Sequence, residues 1–134
     1  MNILIDSSAY ILLSRGHPGA SRYIQEVADL CISVVVLGEL RFGYLKGTQR
    51  ERDERRLRDF LSQSRVRVIG IDDDTTHLYA RIRNDLRLAG KMVANNDLWI
   101  AAGAMQHGLC ILTADTDFQK IPQVMVELIT SGSV

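Results

Sequence analysis

The sequence predicts an α/β fold of three layers, a mainly parallel central sheet flanked by helices. Three observations carry that expectation. Short apolar runs alternate with longer amphipathic ones, the pattern of βα units around a parallel sheet. The run Leu109-Cys110-Ile111-Leu112-Thr113 is apolar on both faces, as interior strands of such sheets are. Finally, 134 residues, 46% hydrophobic and 24% charged, suit one domain spanning 1–134 that can bury a core without staples.

In chain order, Asn2–Asp6 reads as the first strand. Ser7 or Ser8 caps a short helix to about Leu13, which Gly16-His17-Pro18-Gly19 breaks. A second helix runs from about Ser21 to Asp29, with Tyr23, Ile24, Val27 and Ala28 on one face. Cys31-Ile32-Ser33 is a short strand. The stretch Val34–Lys46 has strand propensity, yet Ser33 can cap a helix and Glu39, Phe42 and Gly43 share a helical face, so it is read as helix. Thr48-Gln49-Arg50-Glu51 has capping-box spacing and starts a charged helix to about Gln63 that buries Leu57, Phe60 and Leu61.

Arg67–Ile71 is the third strand. Asp72-Asp73-Asp74 precedes Thr75 and Thr76, and acids there suit a helix N-terminus better than a metal. That helix runs from Thr75 to Ala89 and ends at Gly90. Another runs from about Asn96 to His107 and ends at Gly108. Leu109–Thr113 follows as an interior strand, Asp115–Lys120 as a turn or short helix, and Val124–Ile129 as the last strand. Ser131–Val134 reads as a frayed tail.

Composition excludes several classes. No apolar stretch approaches a membrane span. The start Met1-Asn2-Ile3 has no basic region ahead of an apolar one, so a secretory signal is not expected and a cytoplasmic location is. Cys31 and Cys110 are far apart in apolar contexts and read as reduced core thiols. His17, His77 and His107 are scattered and form no zinc pattern. The formal net charge is zero, so the chain as a whole exerts no strong pull on nucleic acid. The charge is uneven, however. Arginines crowd Arg50–Arg67, and Arg81, Arg83, Arg87 and Lys91 share a later helix. Such runs are solvated faces unless they flank a phosphate-binding site.

The candidates for chemistry are acidic. Asp6 closes the first strand, Glu39 lies within an apolar helix, Asp97 opens another, and Asp115 follows the strand ending at Thr113. Each has a plain alternative. Asp6 can cap the helix at Ser7. Glu39 can snorkel or pair with Arg41 or Arg81. Asp97 can be a first-turn acid, and Asp115 and Asp117 can be turn residues. Together they exceed what capping requires. Carboxylates are costly to bury uncompensated, and convergent ones raise one another's pKa. A hard divalent cation removes that cost, and Mg²⁺ takes a few carboxylates while keeping several waters. Such a centre suits phosphodiester hydrolysis.

Four segments carry a resemblance: Ile3-Leu4-Ile5-Asp6-Ser7-Ser8, Val36-Leu37-Gly38-Glu39-Leu40-Arg41-Phe42-Gly43, Asn96-Asp97-Leu98-Trp99-Ile100-Ala101-Ala102 and Leu112-Thr113-Ala114-Asp115-Thr116-Asp117-Phe118. In order, spacing and total length they resemble a PIN domain, and within that family the VapC ribonuclease toxins of VapBC toxin–antitoxin pairs. The resemblance covers nearly the whole chain, and Asn-Asp-x-Trp-Ile-Ala-Ala is its most specific part. It implies a three-layer PIN-like fold. It makes Asp6, Glu39, Asp97 and Asp115 the acidic catalytic Mg²⁺ site, with Mn²⁺ able to substitute, and Asp117 an additional acid near the metal. Thr113 would hold the site through its hydroxyl, with Ser7 and Asn96 beside the ligands. Ala94 stands where many relatives have proline, and some relatives carry Asn at the Asp115 position.

The implied activity is Mg²⁺-dependent endoribonucleolysis of tRNA or ribosomal RNA by a metal-activated water, leaving a 5′-phosphate and a 3′-hydroxyl. The arginine-bearing helices would position the strand. The implied partners are RNA, a second copy of the chain in a homodimer, and a VapB-type antitoxin. An amphipathic antitoxin segment would lie in a groove near Leu40, Phe42, Tyr44 and Leu45. The alternative is a catalytically silent PIN domain that binds RNA or protein. A receiver domain fits poorly, because Asp6 is followed by two serines and Lys120 is badly placed. A haloacid-dehalogenase-type phosphatase lacks the acid two residues after Asp6.

Overall fold

A computed structural model describes residues 2–130 of the chain. The strands are β1 (Ile3–Ile5), β2 (Leu30–Ser33), β3 (Val66–Ile69), β4 (Cys110–Thr113) and β5 (Met125–Leu128). They form one sheet in the order β3-β2-β1-β4-β5, and every pairing is parallel. Leu4 sits opposite Cys31 on one side and Ile111 on the other. The three inner strands are buried along their whole lengths, which is why they read as continuous apolar runs. The predicted tail, residues 131–134, lies outside the described part.

Six helices connect the strands: α1 (Ser7–Ser14), α2 (Pro18–Gln25), α3 (Val34–Lys46), α4 (Arg50–Leu61), α5 (Asp73–Leu88) and α6 (Asn95–His107), with a 3-10 helix at Thr116–Lys120. The helical reading of Val34–Lys46 is borne out: Ser33 ends β2 and its hydroxyl accepts from the Val35 N–H at 3.1 Å. The capping reading of the aspartate triplet also holds. Asp72 and Thr75 form a reciprocal capping box at the start of α5. Gly90 and Gly108 close α5 and α6 with φ of 70° and 63°, a left-handed conformation that glycine adopts without a Cβ clash.

Several boundaries differ from expectation, β3 among them at Val66–Ile69 instead of Arg67–Ile71, and four of the differences have a local reason. Pro18 starts α2 instead of breaking a helix, because proline suits the first helical position and His17 Nδ1 caps Ala20. That helix ends at Gln25, so Ala28 and Asp29 fall outside it. Thr48 does not cap α4. Gln49 occupies the cap position and offers no side-chain bond. The cap of α1 is neither Ser7 nor Ser8 but Asp6, whose Oδ1 accepts from the Ala9 N–H at 2.9 Å.

The core lies on both faces of the sheet. Leu57 and Phe60 of α4 pack inward, Phe60 meeting Tyr10 edge-to-face at 5.0 Å, and Ile82 and Leu86 are buried on α5, which packs along α6. Leu61 is only half-buried. Cys31 and Cys110 are buried free thiols in adjoining regions of the sheet, as expected. Among the described residues, no helix is long and apolar enough to cross a membrane.

This topology determines where a ligand can sit. The chain runs outward from β1 to β2 and β3, then returns through α5 and α6 to place β4 on the other flank of β1. The order reverses between β1 and β4, and in an open parallel sheet the crevice beyond the strand ends at that switch point is the binding position. Asp6 and Thr113 are the residues that stand there.

Candidate metal centre at the carboxyl end of the sheet

Four separate segments bring the predicted acids together. Asp6 follows β1, Glu39 lies on α3, Asp97 is in the first turn of α6, and Asp115 caps the 3-10 helix after β4. Carboxylate oxygens of Asp97, Asp115 and Asp117 all lie within 4.8 Å of one another. Asp117, the additional acid in the resemblance, is thus among the three in closest array. Asp6 and Glu39 are not in that group.

Asp6 is 5% exposed and heavily bonded. Its Oδ1 accepts from the Ala9 N–H, its Oδ2 from the Thr113 hydroxyl at 2.5 Å, and the Ser8 hydroxyl lies 2.8 and 3.0 Å from the two oxygens. The cap and the site role, alternatives in the sequence, are therefore compatible in one residue. Burial, with Asp115 adding to it, raises the Asp6 pKa above its usual range, and the Thr113, Ala9 and Ser8 donors act against that rise.

Glu39 does not pair with Arg41, whose Nε lies 3.5 Å from Glu54 instead. Its oxygens accept from Ser7 Oγ at 2.6 Å and Asn96 Nδ2 at 3.4 Å. Ser7 and Asn96 thus sit beside a candidate ligand, as the resemblance implied. Asp115 accepts from the Asp117 N–H at 2.9 Å, and Asp117 pairs with Lys120 at 2.9 Å.

Two hydroxyls tie the two strand ends into one unit. Thr113, fully buried, donates to Asp6 and accepts from the Asp115 N–H at 2.9 Å. Ser8 donates to Asp6 and accepts from the Ala114 N–H at 2.9 Å. Sequence reasoning missed Ser8, because its partner lies 106 residues away and only the β1–β4 pairing brings the two together. Thr113→Val keeps the shape and removes both bonds, leaving Asp6 Oδ2 with the Ser8 hydroxyl alone and the Asp115 N–H without its acceptor. It is expected to cost about 1–3 kcal/mol in urea unfolding.

The electrostatics are those of a site built for a cation. The Asp97 carboxyl is pushed up to about 7, first by burial and then by the charges of Asp115, Glu39, Asp6 and Asp117. Convergent acids of this kind penalise the empty fold, and the donor set is all oxygen. It therefore fits a hard divalent ion and not a soft one.

The sheet order and this acidic crevice define the class, and comparison with known families agrees. The PIN domain family matches residues 3–124, and the chain belongs to it. Within that family it is similar to ribonuclease VapC4 of Mycobacterium tuberculosis, 42% identical over 71% of this chain and 73% of that one. Ribonuclease VapC2 of Rickettsia felis is 32% identical over 95% and 97% of the two chains. Among solved structures, VapBC2 from Rickettsia felis bound to a DNA fragment from its promoter superposes with a TM-score of 0.86. It is 27% identical over 96% of this chain and 98% of that one.

Proposed function

We propose that this chain, read as a single PIN domain, is a Mg²⁺-dependent endoribonuclease toxin of a VapBC pair. Its substrate is tRNA or ribosomal RNA. The observation that supports this most is the convergence of Asp97, Asp115 and Asp117 beside Asp6 and Glu39, in a chain similar to proteins named ribonuclease VapC. Asp97, Asp115 and Asp117 would hold the ion, with Asp6 and Glu39 completing its surroundings; Mn²⁺ offers the same hard-ion chemistry. Such an ion supplies acidified water and neutralises charge on the phosphoryl oxygens.

The protein's own contribution is to hold these carboxylates still. Thr113 and Ser8 fix Asp6, while Ser7 and Asn96 aim the Glu39 carboxylate from two elements. Asp115, bonded to the Asp117 N–H, sets the 3-10 turn that presents Asp117. Preorganised groups of this kind need no rearrangement as charge develops in the reaction.

The inhibited state belongs to the same reading. A groove of about 290 Å³ starts at Ser7 and Glu39 and runs between α1, α3 and α4, past Tyr10, Leu40 and Tyr44. It suits an amphipathic antitoxin segment ending in a basic side chain at the acids. Leu40 and Tyr44 line this groove, whereas Phe42 and Leu45 do not and stand exposed elsewhere on α3. Self-association into a homodimer is part of the same proposal.

The test is cleavage of total tRNA and ribosomal RNA by purified protein, with the ends mapped. Cleavage in Mg²⁺ that leaves 5′-phosphates and stops in EDTA is the expected result. Intact RNA in Mg²⁺ and Mn²⁺, from folded protein freed of antitoxin, would favour the silent binding module instead.

A further inference from the structure

Two arginine-bearing helices were candidates for positioning RNA, and the structure separates them. Around α4 the cations stand among carboxylates: the helix itself carries Glu51, Asp53, Glu54 and Asp59, and each cleft it lines includes Glu51, Asp53 or Asp59. Arg41 faces Glu54, Arg52 faces Asp53, and Arg65 donates to the carbonyls of Ile24 and Val27 at 2.7 and 3.1 Å. The later helix differs. A cleft of about 730 Å³ between α5 and the start of α6 is lined by Arg83, Arg87 and Lys91, and by no carboxylate. Among the described residues none of these three pairs with an acid.

Their arrangement is ordered. Arg83 and Arg87 stand one turn apart, about 6 Å along the helix, and Lys91 follows just beyond its end. That rise is comparable to the separation of successive phosphates in an extended strand. Arg83 Nη1 donates to the Tyr79 hydroxyl at 2.7 Å and approaches Asn95 Oδ1 at 3.4 Å. Tyr79 is itself stacked on Trp99, with centroids 3.9 Å apart and planes within 12°. The guanidinium is therefore held by rigid neighbours. Asn95, at the rim of the cleft, adjoins Asn96, which bonds Glu39, and Asp97 follows. The cationic cleft and the acidic centre meet across one turn of α6.

We propose that this cleft is the strand-holding subsite of the acidic centre. Arg83, Arg87 and Lys91 bind successive phosphates of single-stranded RNA next to the bond to be cut. The assignment rests on the ribonuclease reading above. The cations give a sequence-independent hold, because phosphate contacts fix register and position without reading bases.

The experiment measures binding of a short labelled oligouridylate in Mg²⁺, in an Asp97→Asn background that blocks turnover. Added to that background, Arg83→Ala, Arg87→Ala and Lys91→Ala together are expected to weaken binding about tenfold or more. The slope of log affinity against log salt should fall by about 2, since each single-strand phosphate contributes about 0.7. Arg83→Lys with Arg87→Lys should restore most of the binding, which a purely structural role would not predict. With Asp97 intact, the triple variant should raise KM and leave kcat nearly unchanged.

If the triple variant keeps its affinity, salt slope and KM while the wild type cleaves RNA, the subsite is wrong and the ribonuclease reading survives. If the wild type cleaves no RNA, both fall. Met92 in this cleft is 87% exposed, so the variant's oligomeric state is followed by sedimentation. A change of state with unchanged RNA binding overturns the proposal and makes the cleft an interface between copies.

Discussion

Asp97→Asn is expected to lower RNA cleavage by roughly 10³-fold and, in the same protein, to raise the melting temperature of the metal-free form at pH 8. The two effects have one cause. Asp97 is held at about 7 by burial and by the charges of Asp115, Glu39, Asp6 and Asp117. Without a cation that concentration of charge opposes folding. With one, on the proposed reading, the same carboxylates would hold the ion that the chemistry needs. Losing one of a few carboxylates removes several kcal/mol of transition-state stabilisation, which corresponds to that rate factor. A carboxyl held at about 7 instead of 3.8 penalises the ionised fold by at most ~4 kcal/mol, and solvent reaching this half-buried group reduces the figure. Cleavage rates and calorimetry on one pair of proteins check both. An inactive variant that is also less stable without metal would mean that Asp97 supports the fold, and the trade between stability and function would be absent.

The same tension explains which parts of the site could be read without coordinates. The strands were visible because β1, β2 and β4 are buried on both faces, so their apolar runs have no competing explanation. α3 was harder, since Val34-Val35-Val36 favours a strand locally. Ser33 decides it by capping Val35, a case of one polar side chain outweighing β-propensity. Boundaries failed where two residues competed for one cap. At the first helix the serines yielded to Asp6, because a carboxylate at a helix start also gains from the dipole. Ser7 and Ser8 were thereby freed to bond Glu39 and Asp6.

The acids themselves were legible as a set, but not their ranking. Asp117 looks like a turn residue, and nothing local shows that a 3-10 helix turns it toward Asp97. Glu39 was open to pairing with an arginine, and the chain instead spends Arg41 on Glu54. Ser8 carried no signal, because its value comes from the Ala114 amide just after β4, which reaches the start of α1 only once β4 pairs with β1. Local chemistry predicts which groups can serve a site, whereas the order of the strands decides which ones meet.

Metal-free protein is expected to lose thermal stability as pH rises from 5 to 8, and added Mg²⁺ is expected to restore it. Below about pH 3.8 Asp97 is protonated whether the chain is folded or not, so it favours neither state. Between that point and about pH 7 the unfolded chain releases the proton while the fold retains it. The folded state then binds more protons, and stability falls as pH rises. Above about 7 the penalty stays at its full value. Asp6, also raised, acts in the same direction. The melting temperature should drop by roughly 5 °C or more across this window. On the proposed reading Mg²⁺ would oppose the loss by binding only the folded array, and its effect should grow with concentration. The gain should be larger at pH 8 than at pH 5, where protons compete for the same oxygens. Asp97→Asn should flatten the pH slope and shrink the Mg²⁺ shift together. An unchanged slope in that variant, or a melting temperature at pH 8 indifferent to Mg²⁺, would separate these carboxylates from any cation and leave the acidic cluster without a chemical role.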